Sequence, residues 1–131
     1  MKDYRLLVCG GRDFGKTLAE REHFLNQMDA LLGFMTRQGY RLIIIEGEAK
    51  GADIMTRKWA ESHDLEVLKF PANWKKYPKA AGPIRNKQML DEGKPDAVLA
   101  WPGGTGTENM KTQAKAAGVS VVEMSVDMFR Y

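Results

Sequence analysis

Apolar residues along the chain alternate between two patterns, short compact runs and longer stretches in which they return every three or four positions. The runs are Tyr4 to Cys9, Leu42 to Ile45, Val67 to Phe70, Ala97 to Trp101 and Val119 to Met124. Short apolar runs closed by turn formers read as buried strands, and the first two end in Gly10-Gly11 and Glu46-Gly47. Between them, Leu18, Phe24, Leu25, Met28, Leu31, Leu32 and Met35 are spaced to share one helix face, and Ala52, Met55, Trp59 and Ala60 repeat that spacing. A third helix is predicted to open at Gly82-Pro83 with the proline in its first position. A fourth is predicted from about Thr107 through Met110, Ala114 and Ala117 to a stop at Gly118. The methionines and rings on these faces read as core.

Strands that alternate with helices predict an α/β, Rossmann-like three-layer sandwich around a mainly parallel sheet with right-handed crossovers. The expected strand order is 3-2-1-4-5, with the chain reversing across the sheet after its third strand. Ligands in such sheets bind beyond the carboxyl ends of the strands where the order switches, here between the first and fourth. No linker, repeat or low-complexity tract interrupts the pattern, so residues 1–131 are expected to be one domain.

Composition narrows the class. One cysteine, Cys9, rules out an internal disulfide and suggests a reduced, partly buried thiol of a cytoplasmic protein. No apolar run approaches the roughly 18 residues of a membrane span, and the N-terminal residues lack the pattern of a signal peptide. Twenty basic residues against 17 acidic ones leave a formal charge of +3, a mild excess that permits an anionic partner without requiring nucleic acid.

Candidate chemistry lies in the loops after the strands. Pro102-Gly103-Gly104-Thr105-Gly106-Thr107 leads from the fourth strand into a helix, where unpaired backbone N–H groups and the helix dipole favour a phosphate. Thr105 and Thr107 add hydroxyls, and Thr107 would serve equally as a helix cap. The loop after the first strand holds Gly10, Gly11, Arg12, Asp13 and Phe14. Counted through Gly15, Lys16 and Thr17 it spells the G-x-x-x-x-G-K-T of a phosphate-binding P-loop. The acidic partners such a site needs for magnesium, Glu46 or Asp96, are poorly placed, and Arg12 on phosphate with Asp13 on a sugar hydroxyl is an alternative use of the loop. Gly47, Lys50, Gly51 and Asp53 form a third small-residue loop, in which Asp53 is either a ligand contact or a charge that complements the helix dipole. Trp74 offers a face for a base, and Arg85 with Asn86 offers a planar fork and an amide beside it. No metal site and no cofactor is expected.

Taken together, Cys9-Gly10-Gly11-Arg12-Asp13-Phe14, Ala49-Lys50-Gly51-Ala52-Asp53, Pro71-Ala72-Asn73-Trp74, Ala80-Ala81-Gly82-Pro83-Ile84-Arg85-Asn86 and the 102–107 loop resemble the YspA-like, cpYpsA-related branch of the SLOG superfamily. The LOG phosphoribohydrolases and the DNA-processing protein DprA are its more distant relatives. The resemblance spans about Tyr4 to Met124 and implies a Rossmann-like fold that binds nucleotide-derived ligands, with the phosphate at the 102–107 loop. Two positions depart from the family pattern: Glu48 stands where a glycine is expected, and Thr105 where related chains often carry arginine. The hydrolytic relatives carry a glutamate at the position of Met110, and methionine has no acid-base chemistry. Glu108 falls about 200° away around the helix.

The resemblance therefore leans from enzyme towards binder. It implies a homo-oligomeric protein that senses or sequesters a small nucleotide-derived ligand of the ADP-ribose or cyclic ADP-ribose type, in a setting of phage and bacterial conflict. A nucleoside-monophosphate phosphoribohydrolase and a DprA-like nucleic-acid-binding module are the alternatives.

Overall fold

A computed structural model describes residues 1–125. Its elements follow the order β1 (Lys2–Cys9), α1 (Leu18–Arg37), β2 (Tyr40–Glu46), α2 (Ala52–Ser62), β3 (Glu66–Lys69), α3 (Ala81–Gly93), β4 (Ala97–Ala100), α4 (Thr105–Ala116) and β5 (Ser120–Glu123). The five strands pair in the order β3-β2-β1-β4-β5, every pairing parallel. This is the Rossmann-like α/β architecture and strand order that the alternating pattern predicts.

Both faces of the sheet are dry at its three central strands, β2, β1 and β4, which explains why these read as continuous apolar runs. Leu6, Val8, Leu42, Ile44, Ala97 and Leu99 point to one side, where Phe24 and Met28 of α1 and Ala52, Trp59 and Ala60 of α2 cover them. Leu7, Cys9, Ile45, Val98 and Ala100 point to the other and meet Met89 of α3 and Met110 and Ala114 of α4. Helices thus cover one face before the chain reverses and the other face after it. The reversal leaves a crevice beyond the carboxyl ends of β1 and β4.

Three sequence expectations change at the helices. Leu18 and Leu25 are exposed; they lie about 100° round α1 from the stripe of Phe24, Met28 and Met35, at the margin of the face that the sheet covers. Helix α3 begins at Ala81, so Pro83 is its third residue rather than its first. The place suits a proline, because the first four helical N–H groups have no partner within the helix. Helix α4 begins at Thr105, inside the glycine loop. Its cap is Gly104, and Thr107 sits in the first turn instead of capping it.

Candidate functional site

Three loops meet at the end of β1, and their glycines are explained by how closely they pack. Gly11 donates its N–H to the Pro102 carbonyl at 2.8 Å, and its own carbonyl accepts from the Ala52 N–H at 3.2 Å. A Cβ on Gly10 would lie 2.6 Å from Ala52 Cβ, and one on Gly11 would lie 2.9 Å from both Gly103 Cα and the Pro102 oxygen. Gly51 has φ +77, and a Cβ there would come within 2.3 Å of the Gly11 oxygen. These glycines are required by the fold itself.

Gly104 and Gly106 differ. A Cβ at either would meet nothing within 4 Å, and neither needs a positive φ. They border a cavity of about 780 Å³, within the size range of small-molecule sites. Because Gly104 gives no side-chain cap, the first N–H groups of α4 are left for whatever occupies the cavity.

The cavity brings together the predicted Gly10, Gly11, Arg12, Asp13, Phe14, Asp53, Trp74, Arg85, Asn86, Pro102, Gly103, Gly104, Thr105, Gly106 and Thr107. Gly47, Lys50 and Gly51 are not in its wall. Gly47 acts behind it, accepting Arg85 Nη1 through its carbonyl at 2.5 Å. Lys50 is exposed on the turn before α2, and Gly51 is spent on the contact with Gly11. Phe14 contributes only an edge, being 6% exposed and stacked on Trp101 with ring centroids 5.2 Å apart. The sequence reading missed Cys9, Glu20, Ala49, Lys79, Gly82, Pro83, Met89 and Asn109, which also line it. Asn109 was detectable, since it lies one helical turn beyond Thr105 on the same side of α4.

An amide network holds the far wall. Arg85 Nε donates to Asn86 Oδ1 at 3.0 Å, while Asn86 Nδ2 donates to the Gly106 carbonyl at 3.2 Å and to Asn109 Oδ1 at 3.1 Å. Gln113 Nε2 donates to the same Asn109 oxygen at 2.7 Å. The guanidinium and the glycine loop are therefore positioned by one set of bonds between α3 and α4. On the opposite side Arg12 lies over the Trp74 ring, 5.7 Å from its centroid. Trp74 is 46% exposed and rests against Gly82, which leaves ring surface free for a planar group.

The cavity's titratable groups are shaped by burial. Burial pushes the Cys9 thiol up to about 12, so it is neutral and a poor nucleophile. Burial raises Asp53 to about 6, opposed by N–H groups of Ala49 and Gly47 and by the nearby Arg85 charge. Burial pulls the Arg85 guanidinium below its ordinary value, opposed by Asp53 and Glu46.

The P-loop string does not fold as a phosphate cradle. Thr17 is the N-cap of α1, its hydroxyl accepting the Glu20 N–H at 3.1 Å. Lys16 pairs with Asp13 at 3.0 Å on the surface. Neither Lys16 nor Thr17 reaches the cavity wall, whereas the start of α4, which has no side-chain cap, borders it. Met110 is 1% exposed in the core beneath α4. Glu108 points outward to Lys111 at 2.6 Å.

The family model for YspA, cpYpsA-related SLOG proteins matches residues 4–77, from β1 to the loop that carries Trp74. The chain belongs to that SLOG family. Membership supports a nucleotide-related binding role. The matched stretch contains Gly10 to Phe14, Asp53 and Trp74, whereas Arg85 and the 102–107 loop lie beyond it and are placed at the same cavity by the structure.

Among relatives, the Gene 61 protein of Mycobacterium phage D29 is 34% identical over 101 residues, covering 72% of this SLOG chain and 80% of the phage protein. Among solved structures, UDP-GlcNAc 2-epimerase of Neisseria meningitidis bound to UDP-GlcNAc is 16% identical with a TM-score of 0.47. The alignment covers 95% of this chain but 32% of the epimerase. A predicted subunit of tRNA methyltransferase from Methanocaldococcus jannaschii is 13% identical with a TM-score of 0.39, over 100% of this chain and 70% of that one. Likenesses at this level carry no argument about function. Among the described residues no helix is long and apolar enough to cross a membrane.

Proposed function

We propose that this SLOG protein binds a nucleotide-derived ligand of the ADP-ribose or cyclic ADP-ribose type and acts by sensing or sequestering it. The observation that carries the reading is the pair Gly104 and Gly106. Both are open to the cavity, neither is required by packing or by a positive φ, and together they let an anion reach the uncapped start of α4. Arg12 and Arg85 supply charge around that point, and the free face of Trp74 suits a base. The phage relative supports a place in conflict between phage and host. A phosphoribohydrolase finds less support, because the position of the relatives' glutamate holds a buried methionine.

Calorimetric and thermal-shift titrations with ADP-ribose, its cyclic isomers, NAD and nucleoside monophosphates test the proposal. A ligand at a hundredfold excess over its Kd stabilises the fold by about 2.7 kcal/mol. Absence of any shift or heat across the whole panel would refute it. Free base released from a nucleoside monophosphate would restore the hydrolase.

A further inference from the structure

Six charged residues line the cavity, Arg12, Lys79 and Arg85 against Asp13, Glu20 and Asp53. Two of the three carboxylates are committed elsewhere. Asp13, to which the sequence assigns a sugar hydroxyl, has a side chain 87% exposed and paired with Lys16 at 3.0 Å. Glu20 closes the cap of α1, its Oε1 accepting the N–H groups of Gly15 at 3.2 Å and Thr17 at 3.3 Å. Asp53 alone combines burial, at 6% exposure, with a place in the wall.

Its orientation is fixed by the loop after β2. Oδ2 accepts the Ala49 N–H at 3.2 Å, and the nearby Gly47 N–H favours the carboxylate charge. Arg85 does not use it up: Nη1 goes to the Gly47 carbonyl and Nε to Asn86. An ionised carboxylate only accepts hydrogen bonds, so its remaining lone pairs require donors from the occupant of the cavity. Phosphate oxygens are excluded there by charge. Neutral hydroxyls fit, and a vicinal pair meets both oxygens of a carboxylate.

The position fits as well. Helix α4 starts at the end of β4 and α2 at the end of β2, on either side of β1, with Gly11 bonded to both loops. Two strand spacings separate those starts, about 10 Å between backbones. Side chains and N–H groups reaching inward leave the span of a sugar phosphate. Carboxylates read ribose hydroxyls from an adjacent loop in other parallel-sheet nucleotide sites.

We infer that Asp53 makes the site selective for ribose over deoxyribose by accepting hydrogen bonds from the ligand's vicinal hydroxyls. The inference rests on the nucleotide reading above. It is tested by titrating the full chain with AMP, 2′-deoxy-AMP and 3′-deoxy-AMP, then repeating the series on Asp53→Asn, whose amide oxygen still accepts the Ala49 N–H. The wild type is expected to bind AMP at least tenfold more tightly than either deoxy analogue. In D53N the gap closes to within twofold, chiefly through weaker AMP binding.

Should the amide disturb the loop, as a lowered melting temperature would reveal, Asp53→Ser is read in the same way. Equal affinity of the wild type for all three, or a gap that persists in the variants, overturns the inference while leaving the nucleotide reading intact. Failure of AMP and of every nucleotide in the wider panel to bind overturns both.

Discussion

Glu46, the last residue of β2, is fully buried, and the substitution Glu46→Gln tests what that costs. Its Oε2 accepts the Glu48 N–H at 2.5 Å, and Oε1 has no partner among the described residues. Burial drives the carboxyl from 4.5 up to about 7, and the charges of Asp53 and Glu48 push the same way. Below pH 4.5 the group is neutral in both the folded and unfolded chains. Between 4.5 and 7 the unfolded chain ionises while the folded one keeps its proton, so stability falls as pH rises, by about 3 kcal/mol in all. Above 7 both forms are ionised and the loss levels off. Glutamine does not titrate, so E46Q lacks this slope. Its amide nitrogen is left without an acceptor, but that cost of about 1–3 kcal/mol is the same at every pH. Asp53 contributes a slope of the same sign in both proteins, which cancels except for its charge coupling to Glu46, a part of the slope that E46Q removes. Urea denaturation followed by circular dichroism at pH 4.5, 5.5, 6.5 and 8 should show the stability of E46Q relative to wild type rising by about 3 kcal/mol across the range. Two stability curves that stay parallel would refute the assignment.

The glycines divide by role. Gly51→Ala should cost about 2 kcal/mol or more, since it combines φ +77 with a Cβ 2.3 Å from the Gly11 oxygen. Gly104→Ala should stay within about 0.5 kcal/mol of wild type yet weaken nucleotide binding at least tenfold, and melting temperature with titration separates the two effects. Trp74→Ala should change stability by less than about 1 kcal/mol, the ring being 46% exposed. The same variant should lose about 1–3 kcal/mol of affinity for base-containing ligands and much less for ribose 5-phosphate; equal losses for both would argue against stacking. Glu48→Gly should raise stability by up to about 1 kcal/mol, because Glu48 holds φ +56 and its pair with Arg57 at 3.3 Å is a minor offset. A clear loss in denaturant midpoint would show that the pair matters more.

How much of this was legible in the sequence follows from the range of the forces involved. Strand identity was legible because β1, β2 and β4 are buried on both faces, which leaves uninterrupted runs such as Leu6 to Cys9, and the order followed from strands alternating with helices and a reversal after the third strand. The start of α4 was not, because two glycines and two threonines carry no apolar period, and only the hydrogen bond from Glu108 N–H to the Gly104 carbonyl at 3.0 Å fixes the boundary. Asp13 and Asp53 show the same limit within the site. Each follows a glycine-rich turn after a strand, and nothing local distinguishes them. The distinction is made by distant partners: Lys16 draws Asp13 outward, while Gly11 and the loop of β2 bury Asp53 against the cavity. Glu48 is the converse case, since a glycine was expected there on resemblance alone and the backbone adopts the left-handed conformation that glycine would occupy without strain. Its backbone N–H donates to Glu46 Oε2 behind the site, and its carboxylate charge helps to raise the Glu46 carboxyl. A change at position 48 therefore acts on the same buried carboxyl that E46Q removes, and the two substitutions should not be additive when combined.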